Sequence, residues 1–306
     1  MGTGGFMELR TLKYFLAVAQ EGNISNAAKL LHVSQPTLSR QLAALEQEFG
    51  RELYTRGRTG IELNEHGLIL QHYANSIVSL SEKAEAEMSM PAKSVRGTVH
   101  IAAGECKGMT LVSEAICRVR AKYPDITFVF TSGNTVALKE DLVRGFHDVM
   151  LECEVHSHAK MNVMRMPIVD TWGVLMRTDN KLAEKEAITP EDLLDQPLVL
   201  SQQGQTRIMD SWFGDYLGQL NVSATYNLPL NCKFLVRGGV GIALTYEGLI
   251  DCQGGDLCFR PLEPMVKSTE GMVWRKSMPS KQTQVFLDVL KQVCNEYAAL
   301  PHDEPL

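Results

Sequence analysis

The stretch over residues 24–42, ISNAAKLLHVSQPTLSRQL, constrains this chain more than any other. It reads as two short helices joined by a tight turn. Ala27, Ala28, Leu30 and Leu31 give the first helix a small apolar face that can pack closely on a neighbour. The second helix starts at Ser34, a hydroxyl N-cap able to satisfy an orphan backbone N–H, with Pro36 in the first turn, where a missing donor costs nothing. Leu38, Leu42 and Leu45 recur at helical spacing and point inward, which leaves Gln35, Thr37, Ser39, Arg40 and Gln41 outward or flanking. Such groups suit a DNA major groove: Gln pairs bidentately with adenine, Arg with guanine, and hydroxyls hold phosphates. They suit an ordinary solvated face as well, so the flanking sequence has to decide.

Before the pair, residues 8–20 predict a helix whose Leu9, Leu12, Phe15, Leu16 and Ala19 form a floor for it, ended by Gly22 and Asn23. After it, the turn-prone run 56–60 lies between two short apolar stretches, 52–54 and 61–63. This predicts a small β-wing whose Arg56 and Arg58 reach phosphates or the adjacent minor groove. Asn64 is placed to cap a long helix over 65–88. The apolar residues of that helix, Leu70, Tyr73/Ala74, Ile77, Leu80, Ala84 and Met88, fall near heptad spacing. That pattern predicts pairing with the same helix of a second subunit, with packing on its own chain as the alternative.

The formal net charge of −6 would argue against nucleic acid if it were spread evenly, but it is not. Residues 7–64 hold seven Lys/Arg against six Asp/Glu, so the acidity belongs to the remainder. A local basic surface, here Arg40, Arg51, Arg56 and Arg58, is all that a DNA-reading module needs. Seven cysteines, at 106, 117, 153, 232, 252, 258 and 294, show neither CxxC nor zinc-ligand spacing and read as reduced thiols. No apolar run reaches the roughly 18 residues of a membrane span and no secretory leader opens the chain, so a cytoplasmic protein without membrane contact is expected. Residues 1–6 read as an expression scar, with Met7 the natural start. Nucleophile-elbow, metalloprotease, Walker A and dinucleotide fingerprints are all missing, and Gly238–Gly241 precedes an apolar strand, the wrong context for a phosphate loop. Catalytic residues, metal and cofactor are therefore not expected.

From residue 97 short apolar strands alternate with amphipathic helices. Strands are expected at 99–103, 126–130, 149–153, 172–176, 198–200, 224–228 and 240–244, then a return at 271–274. Helices are expected from Leu111 to Val119, at 136–143 and around 206–220, with a final one at 281–297. Such alternation predicts a parallel sheet covered on both faces, in two α/β lobes joined by two crossings, with ligands outside the strand carboxyl ends.

Over residues 7–88 the chain resembles the winged helix-turn-helix and linker helix of LysR-type transcriptional regulators. The resemblance is carried by Ala27-Ala28, Leu30-Leu31, Ser34-Gln35-Pro36, Leu38-Ser39, Leu45-Glu46, Gly50, Leu53-Tyr54, Arg56, Leu63 and Gly67. Tyr54 stands where Phe is usual and Asn64 where Thr is usual. Tyr123-Pro124, Gly133, Leu142, Gly145, Asp148, Val236, Gly239 and Gly241–Leu244 extend the resemblance over the family's periplasmic-binding-protein-like effector domain. It implies a winged helix-turn-helix over 7–64, a linker and hinge over 65–96, and an effector domain over 97–298. Lobe I of that domain spans about 97–169 and 266–298 and lobe II about 170–265, with a tail at 299–306. The implied function is ligand-responsive transcription regulation by a homodimer or homotetramer that meets double-stranded DNA, a small-molecule co-inducer and RNA polymerase. The implied DNA-binding residues are Ser34, Gln35, Pro36, Thr37, Ser39, Arg40, Arg56 and Arg58. The implied effector contacts are Gly104, Glu105, Cys106, Thr131, Ser132, Asn134, Ser201, Gln202, Gln203 and Thr245, the last replacing a common Pro. Cys106, where the family often has Ser or Thr, reads as a small ligand-facing or packed residue, the reactive thiol being the other reading. Glu105 would repel a carboxylate unless it turns away, so the charge of the ligand stays open. The competing function class is a cytoplasmic small-molecule binding protein or enzyme carrying a helical dimerisation module.

Overall fold

A computed structural model describes residues 7–57, 60–89, 95–133, 135–156, 158–202 and 207–300, without the side chains of residues 56, 86, 87, 207 and 208. The chain divides into two compact units at Pro91/Ala92. The first contains α1 (Leu9–Glu21), α2 (Ile24–Leu30), α3 (Gln35–Phe49), β1 (Tyr54–Arg56), β2 (Ile61–Leu63) and α4 (Glu65–Met88). Local capping sets these boundaries. Gly22 ends α1 in the left-handed region, the Asn23 side chain accepts from the Ser25 and Asn26 amides, and Ser34 accepts from the Thr37 amide. His32, at φ 54°, makes the turn between α2 and α3. Leu12, Phe15, Ala27, Ala28, Leu38, Leu42 and Leu45 close the core of this unit.

Asn64 accepts from the Gly67 amide at 3.0 Å and opens α4. Gly67 lets that helix lie directly on the wing, because a Cβ there would stand 1.9 Å from the Leu53 carbonyl oxygen. The apolar side of α4 splits in two. Leu70 and Ala74 are buried in the core of the unit, whereas Ile69, Tyr73, Ile77, Leu80 and Met88 are exposed along one edge.

The second unit runs β3 (Gly97–Ala103), α5 (Met109–Lys122), β4 (Ile126–Ser132), α6 (Thr135–Arg144), β5 (Val149–Glu152), β6 (Met161–Arg177), β7 (Pro197–Ser201), α7 (Arg207–Phe213), β8 (Asn221–Tyr226), α8 (Pro229–Arg237), β9 (Ile242–Tyr246), β10 (Leu257–Pro261), β11 (Lys267–Arg275) and α9 (Lys281–Ala298). Nine strands join in the order β4-β3-β5-β11-β6-β9-β7-β8, with β10 beside β6. The expected all-parallel sheet is corrected to a mixed one. β3 is parallel to β4 and β5, and β7 to β8 and β9, but β6 and β11 are antiparallel to each other and to their flanking partners. These two strands carry the chain out of one lobe and back, and an outgoing and a returning crossing necessarily run in opposite directions. The sequence pattern missed the first half of β6 because Pro167 interrupts it, and Pro167 sits where the β6–β11 register shifts. It also missed α8 and β10. Among the described residues no helix is long and apolar enough to cross a membrane.

The crossing strands hold a clamp. Asp170 on β6 and Glu270 on β11 are both fully buried. Glu270 Oε2 accepts from the Gly108 amide at 2.8 Å and Asp170 Oδ1 from the Lys107 amide at 3.4 Å, the two residues that lead into α5. Their other oxygens, Asp170 Oδ2 and Glu270 Oε1, take no hydrogen bond, and the two buried carboxyl groups lie side by side, which disfavours charge on both. Burial, then the charge of Asp170, push Glu270 up to about 8, and burial also raises Asp170.

Two outcomes follow. The folded chain keeps the Glu270 proton up to about pH 8, whereas the unfolded chain releases it near 4.5, so the stability of this unit is highest below 4.5 and declines as pH rises to about 8. Glu270→Gln should flatten that decline in denaturant melts taken between pH 5 and 8.5. Gly67→Ala should destabilise the N-terminal unit by about 1–3 kcal/mol, read from its thermal melt, because the opposing atom is backbone.

Candidate functional site

The N-terminal half of α3 presents a continuous polar surface. Ser34, Gln35, Pro36 and Arg40 are exposed and Thr37 and Ser39 half-buried, while Leu38 and Leu42 anchor the opposite face. The outer side chains are pre-ordered by local bonds: Ser34 Oγ to Thr37 Oγ1 at 2.8 Å, Gln35 Nε2 donating to Ser39 Oγ at 3.1 Å, and Arg40 Nε donating to the Pro36 carbonyl at 3.3 Å. Of the wing arginines, Arg56 lies on β1 with its side chain outside the described residues, and Arg58 lies outside them entirely.

A cavity of about 670 Å³ opens at the carboxyl ends of the parallel strands, between the two lobes. Glu105, Ser201, Gln202 and Thr245, which the family resemblance implies as effector contacts, are among its lining residues. Gly104 contributes space rather than contact. A Cβ there would fall 2.3 Å from Cys153 Sγ, and Cys153 is what reaches the cavity. Thr131 and Ser132 are not among the lining residues, because β4 is the edge strand and α6 closes the cavity instead. Asn134 and Gln203 lie outside the described residues.

Cys106 does not face the ligand space. Within the bend that leads into α5, Glu105 lines the cavity whereas Cys106 is buried in the core of the lobe. Its thiol lies within 4.8 Å of the ligand atoms of Asp170 and Glu270. A hydrogen bond to Cys153, then burial, raise the Cys106 thiol well above its ordinary value, the opposite of an activated cysteine. The carboxyl groups of this trio hold the Lys107 and Gly108 amides, which makes the group a structural clamp. All seven cysteines are free.

Several lining residues escaped the sequence reading: Glu152, Cys153, Glu154 and His156 after β5, Tyr226 and Asn227 after β8, and Trp172 and Tyr246. The rule that ligands sit at strand carboxyl ends would have found the β5 and β8 groups, had it been applied to every parallel strand. Trp172 and Tyr246 pack with ring centroids 4.4 Å apart, and Trp172 Nε1 donates to Ser268 Oγ at 2.8 Å. This fixes an aromatic wall. His158 lies 2.7 Å from Glu152 and His156 3.5 Å from Glu154. Burial raises the Glu105 carboxyl above its ordinary value.

Residues 9–68 match the bacterial regulatory helix-turn-helix protein, lysR family, and residues 92–295 match the LysR substrate binding domain. The HTH-type transcriptional regulator TfdT of Cupriavidus pinatubonensis is 28% identical over 205 residues, 65% of this chain and 86% of that protein. The Hca operon transcriptional activator HcaR of Escherichia coli is 26% identical over 94% of this chain and 98% of its own. Full-length CbnR in complex with its target DNA superposes with a TM-score of 0.69 at 21% identity, covering 94% of this chain and 100% of that one. With the two family matches spanning the helix-turn-helix unit and most of the α/β unit, the chain belongs to the LysR family of ligand-responsive, DNA-binding transcriptional regulators.

Proposed function

We propose that this regulator works in the cytoplasm and reads DNA through the N-terminal half of α3, one helix per half-site in the major groove, with Gln35 and Arg40 on base edges and Ser34, Thr37 and Ser39 on phosphates. The pre-ordered polar face of α3 is the observation that carries this reading. Arg56 and Arg58 add backbone contacts from the wing. Two chains pair through the exposed edge of α4, where Ile69, Tyr73, Ile77 and Leu80 recur at spacings of three and four and Met88 follows eight residues on. Dimers, and tetramers built from them, are typical of the family. A small effector occupies the cavity lined by Glu105, Ser201, Gln202 and Thr245, and its binding shifts the lobes about the crossing strands and so alters the spacing of the paired DNA-reading units. RNA polymerase is the downstream partner of that change.

Arg40→Ala should cost about 1–3 kcal/mol of specific binding and relax preference at one base pair, measured by anisotropy against single-base operator variants. Unchanged affinity and preference would remove α3 from the groove. The double substitution Ile77→Asp and Leu80→Asp should convert the assembly to smaller species in sedimentation velocity while leaving the melt of the α/β unit in place. Specific binding should weaken steeply with salt in proportion to the phosphates neutralised.

A further inference from the structure

We propose that the cleft takes a small aromatic compound carrying a protonated amine, with Glu105 at the ammonium and the Trp172–Tyr246 wall at the ring. This rests on the reading of the cavity as the effector site. Carboxylates outnumber fixed cations around it: Glu105, Glu140, Glu152 and Glu154 against Lys139 and Arg144. Arg144 lies 3.7 Å from Glu140 one turn earlier on α6, so that pair cancels and Lys139 is the cation left over. Glu152 stands 2.7 Å from His158 and Glu154 3.5 Å from His156.

Glu105 differs from these. It is half-buried on the loop entering α5, and among the described residues it has neither a cation nor a hydrogen-bond donor. Partial desolvation without a counter-charge is unfavourable, and a bound cation relieves it. The start of α5 would otherwise attract an anion through its free amides. Here the amides of Lys107 and Gly108 are already taken by Asp170 and Glu270, so a ligand carboxylate would find Glu105 in front and two buried acids behind. An ammonium group reverses each of those signs. Tied to Ser268, the Trp172–Tyr246 pair offers a rigid π surface of the kind that receives aromatic rings and cations. A space of about 670 Å³ lies within the range that encloses such a molecule.

The test is calorimetry and thermal shift on the full chain with three probes of one shape: 2-phenylethylamine, 2-phenylethanol and phenylacetate. The amine should raise the melting temperature most, by mass action, and phenylacetate least. Glu105→Gln should weaken the amine about tenfold or more, as loss of a charge-assisted contact does, while leaving the alcohol unchanged. Lys139→Gln should leave amine binding equal or tighter. Ser201→Trp, which fills the cavity, should abolish it. Phenylacetate binding more tightly than the amine, and lost in Ser201→Trp, would overturn the charge assignment while keeping the cavity as the effector site. Amine binding that survives Ser201→Trp, or a response to none of the three probes, would overturn the proposal. DNA binding by α3 is measured separately and is untouched by either result.

Discussion

Two buried carboxyl groups, with the proton that burial holds on Glu270, tie the regulatory unit together. Asp170 and Glu270 stand on the outgoing and returning strands, and each fixes one backbone amide at the entrance to α5. Without the proton, two adjacent negative charges would sit in the interior with half their oxygens lacking donors, an arrangement that low-dielectric surroundings penalise heavily. With it, the crossing strands, the first turn of α5 and the loop bearing Glu105 form one unit.

The N-terminal unit was legible because its determinants are local. Ser34, Asn23 and Asn64 cap helices within three residues of themselves, and Leu38, Leu42 and Leu45 recur within a single helix. The cavity was only half legible because it converges from distant segments. Glu105, Ser201, Gln202 and Thr245 could be placed by the strand-end rule and by family resemblance. Thr131 and Ser132 could not be discounted without knowing that β4 is the edge strand. Cys106 looked equivalent to its neighbour until the fold put Glu105 in the cavity lining and Cys106 beside Asp170 and Glu270. The aromatic wall needed the pairing of Trp172 on β6 with Tyr246 on β9, opposite each other in the register, which no local pattern reveals.

The uneven charge along the chain acquires a structural meaning. Nearly balanced charge over residues 7–64 leaves α3 free to present individual polar groups, so discrimination there depends on hydrogen-bond geometry more than on bulk attraction. The surplus acid of the remaining chain is not confined to its surface, since Asp170, Glu152 and Glu270 are buried. Each of these has a specific neighbour: an amide, a histidine or another carboxyl group.

The bare apolar edge of α4 has a consequence for the economy of the cell. On the proposed pairing, the number of dimers competent to occupy an operator grows with the square of the number of chains at low abundance, so doubling expression more than doubles occupancy. A newly made chain that has not met its twin displays Ile69, Tyr73, Ile77, Leu80 and Met88 to solvent, a surface that chaperones and proteases read as unfinished.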